Sequence, residues 1–278
     1  MNSEEIRSHL NTKWAAGIVD YKDITGSTND TADDAGKRGE PSGFLAVADR
    51  QDSGRGSRGR SWVSPAGYNI FMSIMLRPTI PMDKAPGLTL VMAISIAQAV
   101  EDELTAAGYN LEACGPQIKW PNDIVLNKRK ICGILTELRP QEKGYYVIIG
   151  VGINVNQPVE EFPEDIRQTA GSILAETGIK LQRSKLIAAA MKHFERNYEA
   201  YMEKGDLSGT EDAPLKTFYE DRLINVGNIV KIVDPDEEYE AKAIGITDSG
   251  ALVVETQDGK QEEINAGEVS VRGLYGYV

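Results

Sequence analysis

The sequence predicts an α+β protein in which a large domain of mixed strands and helices is followed by a small β barrel. With 278 residues, of which 41% are apolar and 26% charged, the chain can bury a sizeable core. Segments with helical periodicity lie among apolar, strand-like runs before Gly205. After Gly205 the chain becomes a series of short strands separated by turns, which is typical of a small barrel.

Composition excludes several classes of function. The formal net charge is −12, so duplex DNA binding would need a basic face that the composition does not suggest. The two cysteines, Cys114 and Cys132, have no metal-binding spacing, and we expect both to be reduced core residues. There is no signal-peptide pattern, and no apolar run reaches ~18 residues. The sequence therefore predicts a cytoplasmic protein that binds neither DNA nor a membrane.

The large domain begins with a helix that ends at Gly39 and has Ser27 or Thr28 at its N-terminus. These hydroxyls can cap the helix, and they can also line a polar ligand pocket, because both roles use the free N–H groups of a first turn. The remaining elements follow in chain order. Strands are predicted at 44–48, 69–76, 118–126, 131–138 and 145–152, and helices at 88–104, 183–204 (with Ser184 at the start and Gly205 at the stop) and 214–223.

The segment from Gln51 to Trp62 contains three glycines that alternate with three arginines, at Arg55, Arg58 and Arg60. Glycine lets the backbone approach a ligand closely, and the arginine forks supply paired donors for carboxylate or phosphate oxygens. The pattern predicts a loop that closes over a small anionic molecule. The alternatives are a solvated charged loop or an RGG-like nucleic-acid segment.

Lys119, Asp123 and Lys130 form a second cluster, around a predicted hairpin. Each residue alone has an ordinary explanation, because Lys and Asp at the ends of strands are usually exposed to solvent and have no functional role. Together with the arginine loop, they indicate a reaction between two anions. Positioned cations would offset the repulsion between those anions, and a nearby carboxylate would hold Mg²⁺ or orient an incoming amine. The pair Gly150 and Gly152 also permits close approach of a ligand, but a Gly-x-Gly pattern alone is weak.

Four motifs in this order resemble those of bacterial and archaeal biotin protein ligases. They are Gly54-Arg55-Gly56-Ser57-Arg58-Gly59-Arg60, Lys119-Trp120-Pro121-Asn122-Asp123, Arg129-Lys130 and Gly150-Val151-Gly152-Ile153-Asn154. The resemblance runs from about Ser27 to Arg272. It implies a catalytic domain like that of class II aminoacyl-tRNA synthetases, with a mixed sheet flanked by helices, at residues 1–224. It also implies an SH3-like barrel at 225–278.

The resemblance also implies a two-step reaction. The carboxylate of biotin attacks ATP to give biotinyl-5′-AMP, and a lysine of a biotin carboxyl carrier domain then takes the biotinyl group. ATP and biotin are the implied substrates, with Mg²⁺ expected and its ligands unknown. The implied catalytic residues are Lys130, Arg55, Asp123 and Lys119. The implied substrate-binding residues are Ser27, Thr28, Asn29, Gln51, Gly54, Arg55, Gly56, Ser57, Arg58, Lys130, Gly133, Gly150 and Gly152. The implied ATP-binding residues are Arg58, Arg60, Trp62, Asn154 and Arg272.

The residues leave some roles and functions open. Asp123 serves either Mg²⁺ in the first step or the acceptor amine in the second. A lipoate ligase of the same fold, a biotin sensor that modifies no protein and an RNA-binding protein are the alternative functions. The predicted barrel carries eleven acidic against four basic residues, which disfavours a basic RNA-binding module.

Two departures from the family pattern stand out. Many bacterial relatives carry an N-terminal winged helix-turn-helix, and about twenty residues before the first predicted strand are too few for it, so we expect a ligase without a repressor arm. Ser57 stands where the family usually has a fourth arginine. Family members are monomers or dimers built through the central sheet, and a homodimer is our expectation here.

Overall fold

The computed structural model of the chain describes residues 1–112, 114–233, 238–266 and 270–273, and for Arg58 and 270–273 it describes the backbone only. Its larger part is a seven-stranded sheet with strand order β1-β2-β3-β7-β6-β5-β4. β1 and β2 are parallel and the other neighbours are antiparallel, so the sheet is mixed, as predicted. The strands are β1 (Ile18–Thr25), β2 (Phe44–Gln51), β3 (Ile70–Leu76), β4 (Gln117–Lys119), β5 (Asp123–Leu126), β6 (Arg129–Pro140) and β7 (Tyr145–Ile153).

Six α-helices accompany the sheet in the described part of the chain. They are α1 (Ser3–His9), α2 (Thr28–Arg38), α3 (Gly87–Ala106), α4 (Ile173–Thr177), α5 (Arg183–Lys204) and α6 (Leu215–Asp221). α3 is buried on more than one face, as its apolar pattern predicts, and it packs against α5. The buried amide of Asn197 on α5 donates to Ser95 Oγ of α3 at 2.9 Å. Neither α1 nor α4 was predicted, because both are too short to show a helical pattern. Within the described residues, no helix combines the length and apolar character needed to cross a membrane.

The ends of α2 and the start of α5 test three capping predictions. Ser27 is the N-cap of α2, where its hydroxyl accepts from the backbone N–H of Asn29, and Gly39 ends the helix in the left-handed conformation with φ of 82°. Both predictions are confirmed. The prediction that Ser184 starts α5 as a cap is wrong, because Gln182 precedes the helix and Ser184 lies within its first turn. Ser184 instead donates to Glu5 of α1 at 2.6 Å.

The C-terminal part forms a five-stranded antiparallel sheet with strand order β11-β10-β9-β8-β12. Its strands are β8 (Ile229–Val233), β9 (Glu238–Ile246), β10 (Leu252–Glu255), β11 (Gln261–Ile264) and β12 (Ser270–Gly273). The predicted turns before β10 and before β11 contain Gly250 and Gly259, with φ of 90° and 80°. A third predicted turn, at 234–236, lies outside the described residues. The α+β class is confirmed.

The two sheets meet at the segment that joins β4 to β5. Ile118 of β4 forms a parallel bridge with Leu223, and the backbone N–H of Trp120 donates to Asn225 Oδ1 at 2.9 Å. The indole N–H of Trp120 donates to the carbonyl oxygen of Gly250, also at 2.9 Å. The small sheet is thus attached next to residues that the sequence marks as chemically important.

The cysteines follow the prediction only in part. Both are free thiols. Cys132 is fully buried in β6, and burial raises the pKa of its thiol. Cys114 is only partly buried, so it is not a full member of the core.

Candidate functional site

A cleft lies between the arginine–glycine loop and the face of the large sheet. It encloses about 450 Å³ of space including its open mouth. Residues from β2, the loop, the start of α2 and strands β6 and β7 converge on it. Its lining residues are Ser27, Thr28, Asn29, Gln51, Arg55, Gly56, Ser57, Trp62, Asn122, Lys130, Gly133, Ile134, Leu135, Gly150, Val151 and Gly152.

Glycines form the floor of the cleft. Gly133 of β6 is directly opposite Gly152 of β7, and Gly150 lies opposite Leu135 on the same pair of strands. Because alternate residues of a strand share a face, Gly150 and Gly152 clear two successive positions for a neighbouring group. A Cβ at Gly150 would collide with the side-chain amide of Asn29. A Cβ at Gly152 or Gly133 would come within 2.6 or 2.8 Å of the Trp62 indole. The glycines are therefore required by close packing.

One wall of the cleft is a hydrogen-bonded chain of polar side chains. Gln51 Oε1 accepts from the backbone N–H and the hydroxyl of Thr28, at 2.8 and 3.1 Å. Ser73 Oγ lies 2.7 Å from Thr28 Oγ1 and 2.6 Å from Asn29 Oδ1. The Asn29 amide nitrogen donates to Glu137 Oε2 at 2.6 Å. This chain fixes which donors and acceptors the wall presents.

The second wall contains an ion pair at the corner of the β5–β6 hairpin. Lys130 Nζ lies 2.5 Å from Asp123 Oδ1, and the two side chains are only 20% and 15% exposed. A bulge between Ile124 and Val125 shifts the ladder there. The ammonium group also lies 5.2 Å from the centroid of the Trp62 ring. Lys130 is therefore a partly desolvated cation that faces the cleft.

Arg55 closes the rim of the cleft. Its two terminal nitrogens, Nη1 and Nη2, donate to the carboxylate of Asp30 on α2, at 2.9 and 2.6 Å, and Nη2 lies 3.8 Å from Glu137. The hydrogen bond with Asp30 is the main reason that the pKa of the Arg55 guanidinium lies above its usual value. Sequence reasoning did not identify Asp30 or Glu137 as partners.

Trp62 covers the glycine floor. Its indole lies against Gly133 and Gly152, and the buried Nε1 has no hydrogen-bond acceptor among the described residues. A buried indole N–H without a partner is unusual in a protein interior. It is a donor that a polar group entering the cleft can satisfy.

Most of the residues that the sequence singles out as substrate-binding line the cleft. Gly54 is not among the lining residues, and a Cβ there would come 2.5 Å from the carbonyl oxygen of Trp62. Arg60 bonds within the loop, donating to Ser57 Oγ at 3.1 Å. Asn154 is buried and its amide donates to Gly171 O at 3.0 Å. Lys119 is buried opposite Asp123 in the ladder. The side chains of Arg58 and Arg272 lie outside the described part of the structure.

Four lining residues were not predicted individually, namely Asn122, Ile134, Leu135 and Val151. Asn122 lies within the Lys119–Asp123 motif, and its amide donates to the carbonyl oxygen of Ile134 at 2.7 Å. That motif was the signal that could have identified it. The aliphatic residues are ordinary strand residues, and only the sheet register brings them to the cleft.

The described residues contain no group of three or more His, Cys, Asp or Glu side chains that could hold a metal ion. Asp123 is the carboxylate nearest the cleft corner, and it pairs with Lys130. Mg²⁺ is often bound by one or two carboxylates together with substrate phosphates, and Asp123 fits that donor set.

Comparison with known proteins identifies the class to which this fold and cleft belong. Residues 21–154 match the Biotin/lipoate A/B protein ligase family, and residues 226–272 match the Biotin protein ligase C terminal domain. The chain is 38% identical over 260 residues to the bifunctional ligase/repressor BirA of Bacillus spizizenii, covering 93% of this chain and 76% of that protein. It is 31% identical over 236 residues to the biotin–[acetyl-CoA-carboxylase] ligase of Paracoccus denitrificans, covering 82% of this chain and 90% of the relative.

Among solved structures, the biotin protein ligase of Aquifex aeolicus in complex with biotin and ATP is similar to this chain. The TM-score is 0.74 and the identity 28%, with 92% of this chain and 99% of the other covered. The chain belongs to the biotin protein ligase family.

Proposed function

We propose that this chain is an ATP-dependent ligase that converts biotin to biotinyl-5′-AMP and transfers the biotinyl group to a lysine of a biotin carboxyl carrier domain. The observation that carries the proposal is the cleft itself. A glycine floor, a fixed polar wall and a desolvated lysine face one space beneath an arginine–glycine loop. The family membership and the Aquifex aeolicus complex with biotin and ATP support the same chemistry.

In the first step a carboxylate oxygen of biotin attacks the α-phosphorus of ATP. A bond forms between these atoms, the bond from the α-phosphorus to the bridging oxygen breaks, and pyrophosphate leaves with the electron pair. Because both reactants are anions, the step needs positioned positive charge. Lys130 is well placed to supply it, since its ammonium faces the cleft and is already held by Asp123. Trp62 and the polar wall of Thr28 and Gln51 orient the reactants and exclude water.

In the second step the ε-amine of the acceptor lysine attacks the carbonyl carbon of the mixed anhydride. The new amide bond forms as the bond to the phosphate oxygen breaks, and AMP leaves. The amine must lose a proton, and Asp123 is our candidate to accept it. Asp123 would hold Mg²⁺, and the ion would supply positive charge to the phosphate oxygens. Lys119 lies opposite Asp123 in the strand ladder, and we assign it the role of adding positive charge at this end of the cleft.

Several finer features belong to the same proposal. Residues 1–224 are the catalytic domain and 225–278 an SH3-like C-terminal domain, and Arg272 and Asn154 belong to the ATP site. Arg58 and Arg60 would contact phosphate once the loop closes on substrate. The enzyme works in the cytoplasm, does not bind DNA, and forms a homodimer. A lipoate ligase is the second candidate, but the match of residues 226–272 to a biotin protein ligase domain favours biotin.

One assay tests the proposal and separates it from the alternatives. The protein is incubated with ATP, Mg²⁺, a carrier domain and labelled biotin or lipoate, and label on the carrier is measured. We expect biotin on a carrier that retains its acceptor lysine and none on a carrier with that lysine changed to arginine. Label from lipoate alone would assign the second candidate. Pyrophosphate release without carrier labelling would indicate a sensor that modifies no protein.

A further inference from the structure

Residues 54–62 of the arginine–glycine loop form a small closed hairpin. Arg55 and Ser61 make an antiparallel bridge, the N–H of Gly56 donates to Arg60 O at 2.7 Å, and the N–H of Trp62 donates to Gly54 O at 2.9 Å. A 3-10 turn at Ser57–Gly59 forms the tip. Because these bonds lie within the segment, it can open and close as one piece. We call it the loop hairpin.

Two described side chains of the loop hairpin reach from it to the body of the protein. Trp62 lies on the glycine floor, and Arg55 forms the two-bond fork with Asp30. Arg60 instead stays within the hairpin, bonded to Ser57. The Arg55–Asp30 pair therefore connects the free edge of the loop hairpin to the first turn of α2.

The carboxylates around Arg55 indicate that its guanidinium holds the loop hairpin in place. Its guanidinium faces two carboxylates, those of Asp30 and Glu137, and Glu137 also accepts from Asn29 in the wall of the cleft. Both terminal nitrogens of the Arg55 guanidinium already donate to Asp30, so in this arrangement its paired donors are not available to an anion in the cleft. This differs from the role near the reacting carboxylate and phosphate that the family resemblance implies for Arg55.

We infer that Asp30 is a positioning residue that holds Arg55, and through it the loop hairpin, closed over the cleft and so sets how long biotinyl-AMP is retained. The inference rests on the proposed function. Asp30 touches no reacting atom. The pair must break each time the hairpin opens, so its loss speeds release of the intermediate more than it slows its formation. The side chains of Arg55 and Asp30 are 39% and 59% exposed, so the effect is modest and sensitive to salt.

If Asp30 instead keeps Arg55 away from the substrates, its removal should change the rate of adenylate release in the opposite direction. If Asp30 merely holds Arg55 away from the substrates, then removing the carboxylate frees a cation for the anions in the cleft. Release of the adenylate would then slow, and the Michaelis constants for biotin and ATP would fall. The direction of the change thus decides between the two roles.

The test compares Asp30→Asn with Asp34→Asn. Asp34 is also on α2 and exposed, and it pairs with Lys37 at 3.7 Å, so each change removes one negative charge from the same helix. The measured quantity is the dissociation rate of preformed biotinyl-AMP after addition of a trap. Asp30→Asn should release it about fivefold faster, equivalent to ~1 kcal/mol, whereas Asp34→Asn should stay within about twofold. In 0.5 M salt the difference should shrink, since an exposed pair is screened.

Two further measurements sharpen the result. Trypsin should cut the loop hairpin at its arginines faster in Asp30→Asn than in Asp34→Asn, at equal melting temperature. The conservative change Asp30→Glu should recover most of the slow release, because it keeps a carboxylate that can accept from Arg55. Unchanged or slower release from Asp30→Asn would overturn the inference. Failure of the unmodified protein to form biotinyl-AMP would instead overturn the proposed function.

Discussion

Replacing Lys130 by methionine should abolish most adenylate formation while the protein stays folded. Methionine keeps an unbranched apolar stem beside Gly133 and removes only the ammonium group. The backbone of Lys130 is held independently, since its N–H donates to Thr169 O at 2.8 Å and its carbonyl accepts from Gly171 at 3.0 Å. The position of the chain should therefore survive the change. What is lost is the cation that faces the cleft.

The expected magnitude follows from the environment of the ammonium group. Removing one preorganised charge-stabilising donor typically costs a factor of about 100 to 1000 in rate, or roughly 2.7–4 kcal/mol. The stability cost should be smaller, about 1–2 kcal/mol, because Asp123 loses its partner but neither side chain is fully buried. For a protein of this size that lowers the melting temperature by only a few degrees. A rate loss far larger than the stability loss is thus the signature of a direct role.

The assay is pyrophosphate release with biotin and ATP, followed by transfer from chemically prepared biotinyl-AMP to the carrier. Lys130→Met should fail in the first measurement and retain a substantial part of the second. Lys143→Met is the control, because Lys143 is an exposed lysine in the turn between β6 and β7. A double change with Asp123→Asn measures the coupling of the pair. Pyrophosphate release at the unmodified rate from folded Lys130→Met would refute the assignment.

Three further predictions concern other parts of the chain. Arg272→Ala should raise the Michaelis constant for ATP and leave biotin affinity nearly intact, and unchanged ATP kinetics would remove Arg272 from the site. Ser57→Arg should slow dissociation of biotinyl-AMP by about 10 to 150 times, since a desolvated charge-assisted hydrogen bond contributes roughly 1.5–3 kcal/mol. Because less adenylate is released, labelling of a bystander protein should also fall. Equal rates would show that Arg60, which already bonds Ser57, compensates. Burial alone would raise the pKa of the Glu195 carboxyl, but three backbone N–H donors around Trp14 hold that pKa below its usual value. The ionised carboxylate therefore stabilises the fold above about pH 4.3, the usual pKa of Glu. This stabilisation is lost as the pH falls through the pKa of the folded protein. Glu195→Gln should therefore lower the melting temperature at pH 7, and the difference in melting temperature between the variant and the unmodified protein should disappear in acid. A difference that does not depend on pH would contradict the reasoning.

Local chemistry explains which parts of the fold the sequence could predict. The cap at Ser27, the stop at Gly39 and the alternating loop from Gln51 to Trp62 are each encoded within a few residues, and the structure has the helix ends where the pattern indicates. The hairpin corner at Lys130 follows from the polar turn before it. Such signals need no knowledge of distant parts of the chain.

The contacts that the sequence could not predict join segments that are far apart in the chain. Asp30 and Arg55 are 25 positions apart, and only the parallel pairing of β1 with β2 brings α2 next to the loop. Asn29 and Glu137 are 108 positions apart. Ser184 has the residue type of a cap, but tertiary contact with Glu5 uses its hydroxyl instead. Local preference fails where a distant partner offers a stronger bond.

The way the small sheet is attached to the large one affects the interpretation of the Arg272→Ala result. Lys119 and Asp123 flank the segment that contains Trp120, and Trp120 is bonded to Asn225 and Gly250 at 2.9 Å each. The hydroxyl of Tyr219 also donates to Pro121 O at 3.2 Å. Helix α6, Asn225 and the turn between β9 and β10 therefore hold the middle of the segment whose ends face each other beside the cleft. Even if Arg272→Ala leaves ATP kinetics unchanged, the small sheet still supports the site through Trp120. Trp120→Phe, which removes the bond to Gly250 together with part of a buried ring, is the change that measures that support.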